Sequence, residues 1–190
     1  MDKLKGILFA ALSAATFGLI PLYANQAILD GVNNETILVY RYGIAGVLYA
    51  IYLLFRGTNM RLSRGELQEV TIAGVGGYGI TAFFLMWSYH YMPTGVATAI
   101  HFFYPVVVAL LMAIFYKERL PLTVRAGIVL AICGVYLLSW TPGEVKWMGL
   151  FFVLMSTLTY GCYITALNRP VLKRINPDVL TCYVLLFTAC

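Results

Sequence analysis

Two stretches decide the fold: Gly6–Asn34, GILFAALSAATFGLIPLYANQAILDGVNN, and Gly149–Pro177, GLFFVLMSTLTYGCYITALNRPVLKRINP. Set Gly6 against Gly149 and read on without a gap to Val47 against Cys190, and nine of 42 positions are identical. The matches are Gly6/Gly149, Phe9/Phe152, Ser13/Ser156, Thr16/Thr159, Gly18/Gly161, Asn25/Asn168, Leu29/Leu172, Asn33/Asn176 and Tyr40/Tyr183. Shared apolar composition raises chance matches, but six of the nine pairs are Gly, Ser, Thr or Asn and the register never slips. A duplication with an offset of 143 residues explains the pattern.

The composition says where such a duplicated unit lives. Of the 190 residues 61% are hydrophobic and 11% charged. Soluble domains run about 45–50% apolar even counting glycine, and about 25% charged. One core of this size cannot hide so much apolar surface, and disordered chains are polar and highly charged. The outer surface therefore faces lipid. Apolar runs long enough for a bilayer helix, about 20 residues, are predicted at 6–24, 36–55, 70–91, 94–116, 122–140 and 147–167, with a seventh over 179–190. The connections are short, so neighbouring helices run antiparallel. The run at 6–24 follows a basic start as a signal peptide would, but no Ala-x-Ala site follows it and a similar run recurs deep in the chain.

Lys3, Lys5, Arg56, Arg61, Arg64, Lys117, Arg119, Arg125, Arg169, Lys173 and Arg174 fall on one side of the predicted membrane. Lys146 alone falls on the other, and Arg41 lies inside the second run. This asymmetry predicts a multi-pass integral membrane protein with a cytoplasmic N-terminus. Trp87, Trp140 and Trp147 all fall at the outer helix ends, as an interfacial aromatic belt would place them. The net charge of +5 gathers on no basic face, so no nucleic-acid partner is expected. Paired carboxylates, Cys-x-x-Cys, Gly-rich phosphate loops and metal-ligand spacings are missing, so neither an enzyme, a cofactor nor a metal is expected. Cys133, Cys162, Cys182 and Cys190 sit in apolar runs and read as buried small hydrophobes.

Five helices fit inside the duplication offset. An odd number starts the second copy on the opposite side, which agrees with the independent charge reading. Inverted-topology repeats are the architecture of secondary transporters, which alternate access by rocking one repeat against the other. The predicted units are a first repeat over 1–140 and an incomplete second over 147–190. Two full copies would need about 286 residues, twice the 143-residue offset. The chain is therefore expected to need a partner, as a homodimer or with a missing second half, and a non-functional or partner-dependent fragment stays open as the alternative. A seven-helix receptor is opposed by the cytoplasmic N-terminus.

At the third to fifth helices the sequence resembles the EamA family of the drug/metabolite transporter superfamily. The resemblance rests on Ser88-Tyr-His-Tyr-Met-Pro-Thr-Gly-Val-Ala-Thr-Ala-Ile100, then Tyr104-Pro-Val-Val-Val, Lys117-Glu-Arg-Leu-Pro121 and the glycine-spaced run 127–138. Tyr40-Arg41-Tyr42 is similar to the family's arginine-bearing second helix. The resemblance implies an all-α fold of two inverted five-helix repeats that exports or exchanges small metabolites across a prokaryotic inner membrane. It names no substrate.

Arg41 is the one full charge well inside a span, about five residues from its outer end. It reads as a side chain snorkelling to the headgroups, as a cation that binds an anionic or zwitterionic solute, or as an interhelical hydrogen-bond donor. Ala97, His101, Pro105 and Ala109 form a small or polar stripe at helical spacing, which predicts that His101 points into the bundle. Pro105 removes the hydrogen bond to the carbonyl of His101, and Pro21 does the same for Phe17; both are expected helix breaks. A freed carbonyl at membrane depth needs protein, water or ligand. His101 is also a side chain that could titrate during transport. Arg41, Trp87, His101, Tyr104 and Tyr160 are the candidate substrate or pathway residues. Ala73, Gly77 and Thr81, and Gly127 with Ala131, read as packing seams.

Overall fold

The computed structural model describes residues 2–117, 120–139 and 146–189. Every regular element among them is helical: α1 (Asp2–Leu29), α2 (Asn34–Phe55), α3 (Arg64–Thr71), a π-helical stretch (Ile72–Gly79), α4 (Ile80–Ser88), α5 (Thr94–His101), α6 (Tyr104–Phe115), α7 (Leu122–Ser139), α8 (Trp147–Ala166), α9 (Pro170–Arg174) and α10 (Pro177–Thr188). Five stretches are long and apolar enough to cross a membrane: Gly6–Leu29, Asn34–Phe55, Arg64–Ser88, Thr94–Phe115 and Trp147–Ala166. Leu122–Leu137 and Pro177–Thr188 are shorter apolar helices. The connection at 141–145, together with Met1, Glu118, Arg119, Trp140 and Cys190, lies outside the described residues.

The helix ends differ from the expected ones for local reasons. The third span starts at Arg64 rather than residue 70, because Ser63 and Glu66 form a capping box that satisfies the first free amides. Four glycines at 74, 76, 77 and 79 then share the π-helical stretch, where the helix widens before α4. The fourth span breaks at Phe102–Phe103, and α6 restarts with Pro105 in its first turn, where no amide donor is needed. The break shifts the helical register, so the expected stripe does not continue. Ala97 and His101 are buried, but Pro105 is exposed. α1, by contrast, runs unbroken through a buried Pro21, so the break expected there is a missing hydrogen bond and not an interruption. The 143-residue offset recurs in the helix starts: α2 begins at Asn34 and α10 at Pro177, each directly after an N-cap asparagine, Asn33 or Asn176.

The helix α8 is the central strut. It packs against α4, α5, α6 and the π-helical stretch, while α10 lies against α2, α3 and that stretch. One core gathers Leu38, Tyr42, Ala82, Met86, Ile100 and Val153, and a second gathers Val70, Ala73, Leu172, Val179 and Val184. Large apolar side chains stand outside both, with Phe55 88% and Trp147 87% exposed, as lipid-facing surface requires. Cysteines follow the same logic. Cys182 is buried, but Cys133 and Cys162 are free and exposed, not buried as the apolar runs suggested; an apolar outer face needs no core to hold them.

Close helix approach depends on glycine. A Cβ added at Gly161 would lie 2.6 Å from Cγ1 of Val107, and one at Gly149 would lie 2.8 Å from Cβ of Tyr91. At Gly77 it would meet Cβ of Tyr163 at 2.9 Å, which makes the Ala73–Gly77–Thr81 seam a real contact. The Gly127 seam on α7 meets nothing within 4 Å. Nor do Gly6 and Gly18, the repeat mates of Gly149 and Gly161. Gly161→Ala is therefore expected to destabilise the detergent-solubilised chain by about 1–3 kcal/mol, the usual cost of overpacking. In single chains, with nothing packed on α1 at this position, Gly18→Ala should be neutral, or stabilising by up to about 1 kcal/mol through helix propensity. Denaturant unfolding of both variants checks this; equal losses would contradict the asymmetry.

Candidate functional site

A cavity sits where α1, α2, α4, α5 and α8 meet. α1 supplies Phe17, Ile20 and Pro21; α2 supplies Arg41 and Tyr42; the π-helical stretch and α4 supply Tyr78, Thr81, Ala82, Leu85 and Met86. Tyr89, His101 and Tyr160 complete the wall. The volume is about 40 Å³, space for a few waters at roughly 10–15 Å³ each. Its polar groups are one guanidinium, one imidazole, tyrosine hydroxyls and one threonine, and no carboxylate lines it among the described residues.

Arg41 enters seven residues into α2, about 10 Å at 1.5 Å per residue and deeper than the sequence suggested, because the helix begins at Asn34. Its guanidinium carbon lies 4.8 Å from the centroid of the Tyr42 ring, a cation–π distance. Tyr42 meets Tyr78 edge-on at 5.5 Å, and Tyr78 continues to Tyr163 at 5.5 Å and Tyr160 at 6.2 Å. These rings carry a chain of aromatic contacts from α2 through the π-helical stretch to α8. The Tyr89 and Thr98 hydroxyls lie 3.3 Å apart behind the cavity wall.

His101 is 3% exposed and ends α5 directly before the break. Its Nδ1 is 2.8 Å from Oγ of Ser156 on α8. Its ring lies 5.4 Å from Tyr160 and 6.0 Å from Tyr104, and those two tyrosines meet edge-on at 4.7 Å. A second bond joins the walls: the Thr81 and Thr159 hydroxyls are 2.8 Å apart. Phe17 and Tyr160, which are repeat mates, both line the cavity, and Phe17 leans on Phe102 at 5.6 Å. The cavity thus lies between α1 and α8.

Of the sequence candidates, the fold brings Arg41, His101, Tyr160 and Pro21 to one cavity, with Tyr104 one ring behind. Trp87 does not line it. Its ring packs on Phe83, His90 and Phe152, and its Nε1 is buried with no partner among the described residues. Pro105 faces outward. Tyr42, Tyr78, Tyr89, Thr81 and Ser156 were not singled out for a site. Only two carried a signal: Tyr42 follows Arg41 directly, and Ser156 is one of the nine repeat identities.

The bundle of long apolar helices around a small cavity has the architecture of an all-α integral membrane protein. Residues 4–140 match the EamA-like transporter family, and the chain belongs to it. It is 30% identical over 141 residues to an uncharacterized transporter of Archaeoglobus fulgidus, covering 74% of this chain and 49% of that one. It is 27% identical over 156 residues to a probable terminal-alkyne amino-acid exporter of Streptantibioticus cattleyicolor, covering 82% of this chain and 52% of that one. The chain spans about half the length of these relatives. No solved structure matches it. Family and relatives alike point to a membrane transporter and away from an enzyme.

Proposed function

We propose that the chain carries small anionic or zwitterionic metabolites across a prokaryotic cytoplasmic membrane, as an exporter or exchanger. It works by alternating access between inverted repeats, the first over 1–140 and the second from 147. The observation that carries this reading is the Arg41 guanidinium at a cavity that no carboxylate lines among the described residues and that lies between Phe17 and Tyr160. A cation at membrane depth is costly without a counter-charge, and a substrate carboxylate supplies one. The amino-acid exporter among the relatives handles a zwitterion, which supports the same class. Binding is tested by thermal stabilisation of the purified chain with amino acids, monocarboxylates and amines. Amino acids and monocarboxylates should stabilise it and amines should not. Arg41→Gln should weaken the carboxylate response about tenfold or more, the worth of a charge-assisted hydrogen bond. Arg41→Lys should recover part of it, since the planar fork is lost but the charge stays. A wild-type response in Arg41→Gln would overturn the assignment.

The charge asymmetry supports a cytoplasmic N-terminus, with the connections 56–69, 117–121 and 168–178 cytoplasmic and 25–35 and 141–146 outside. A single cysteine at Asn33, in a background without native cysteines, should react with an impermeant reagent from outside the cell. Reaction only from the cytoplasmic face would reverse the topology.

The working unit also buries α1 against further helices, from a second chain or a second half. Gly6, Ser13 and Gly18 are exposed on α1, whereas their mates Gly149, Ser156 and Gly161 are buried on α8. The same small-residue face that seats α8 on α4, α5 and α6 is open on α1. Mass measurement in mild detergent should show a complex heavier than one chain. A monomer that transports in vesicles would exclude this pairing.

A further inference from the structure

His101 is held by a partner that selects its tautomer. The hydroxyls of Thr157, Thr159 and Thr165 on α8 each donate to a carbonyl four residues back in the same helix, at 2.8 to 2.9 Å. Ser156 is the exception: its Oγ reaches across to Nδ1 of His101 at 2.8 Å. Ser156 is 0% exposed, and that imidazole nitrogen is the partner its hydroxyl has among the described residues. A buried hydroxyl proton without an acceptor is unfavourable. The arrangement that satisfies both groups has Ser156 donating and Nδ1 accepting. The neutral ring then carries its proton on Nε2. Nδ1 is committed to α8, so Nε2 is the nitrogen left to the cavity that His101 lines.

We infer that Ser156 is a positioning residue that fixes His101 as the Nε2–H tautomer, so that His101 offers a neutral hydrogen-bond donor to the cavity that the cationic Arg41 also lines. This rests on the proposed binding of an anionic group and adds the second donor to it. With no carboxylate lining the cavity, two donors of different charge suit the two oxygens of one substrate carboxylate. The bond also ties the two copies of the repeat together, since His101 ends α5 and Ser156 stands on α8. A substrate oxygen on Nε2 would thus be sensed at the α5–α8 contact.

The chain has two histidines, which makes a direct readout practical. In the full chain labelled with ¹⁵N-histidine in nanodiscs, with His90→Gln for assignment, His101 should show a pyridine-type Nδ1 and a pyrrole-type Nε2. A ring protonated on Nδ1 overturns the inference without reference to any ligand. Ser156→Ala should yield a mixture of tautomers, and Ser156→Thr, which restores a hydroxyl, should return the single form. Glycine and acetate are the probes. Each should shift the Nε2 signal in the wild type, and Ser156→Ala should weaken their binding about three- to tenfold while leaving Arg41 in place. Binding of equal strength in Ser156→Ala removes the role in recognition. If neither probe binds the wild type, the anionic-substrate reading fails, while the tautomer measurement still decides the role of Ser156.

Discussion

Lipid cannot hydrogen-bond a peptide group, and the remaining structure answers that constraint. Each membrane-crossing segment must satisfy its backbone internally, so the chain commits to helices along almost its whole described length. Helices in lipid gain nothing from hiding apolar side chains from one another, so close contact depends on small residues and on a few interhelical hydrogen bonds. α8 shows both devices on one face. Gly149 and Gly161 let it approach the α4–α5 turn and α6, and Ser156 and Thr159 bond to His101 and Thr81. These contacts form one seam between α8 and the preceding helices, and α10 against α2 and the π-helical stretch forms another.

The same constraint locates the polar chemistry. Polar side chains at membrane depth are expensive unless they meet each other or a ligand. The cavity accordingly concentrates them. Arg41 stacks on Tyr42, Tyr42 meets Tyr78, and His101 is held by Ser156 beside Tyr160. The break between α5 and α6 begins directly after His101, and the π-helical stretch ends one residue after Tyr78. Departures from regular α-helix therefore coincide with the cavity wall, where freed backbone groups can face protein or a ligand instead of lipid.

The two copies of the duplicated segment occupy different environments. On α8 the glycines are filled by Val107 and Tyr91; on α1 their mates meet nothing within 4 Å. Asn33 and Asn176 still N-cap corresponding helices, but only Asn176 accepts a side-chain capping bond, from the amide of Asp178. Identical residues thus make different contacts according to the helices that surround them.

The sequence by itself determined the class of fold. Composition demanded lipid, run length marked the spans, and the ungapped register from Gly6 to Val47 against Gly149 to Cys190 exposed the duplication. These are one-dimensional signals, since length, apolarity and repeat spacing need no knowledge of which helix touches which. Arg41 and His101 were legible for a related reason: a charge or an imidazole inside an apolar run stands out locally. Tertiary structure alone decided that these two meet, that Tyr42, Tyr78 and Tyr89 wall the same cavity, that Pro105 turns outward and that Ser156 orients the imidazole. Aromatic and hydroxyl residues are common in membrane helices, and nothing along the chain separates a tyrosine facing lipid from one facing a cavity. That distinction depends on helix rotation, which packing sets. The break at Phe102–Phe103 changes the rotation within a single span, so a stripe read at uniform helical spacing could follow the face only as far as His101.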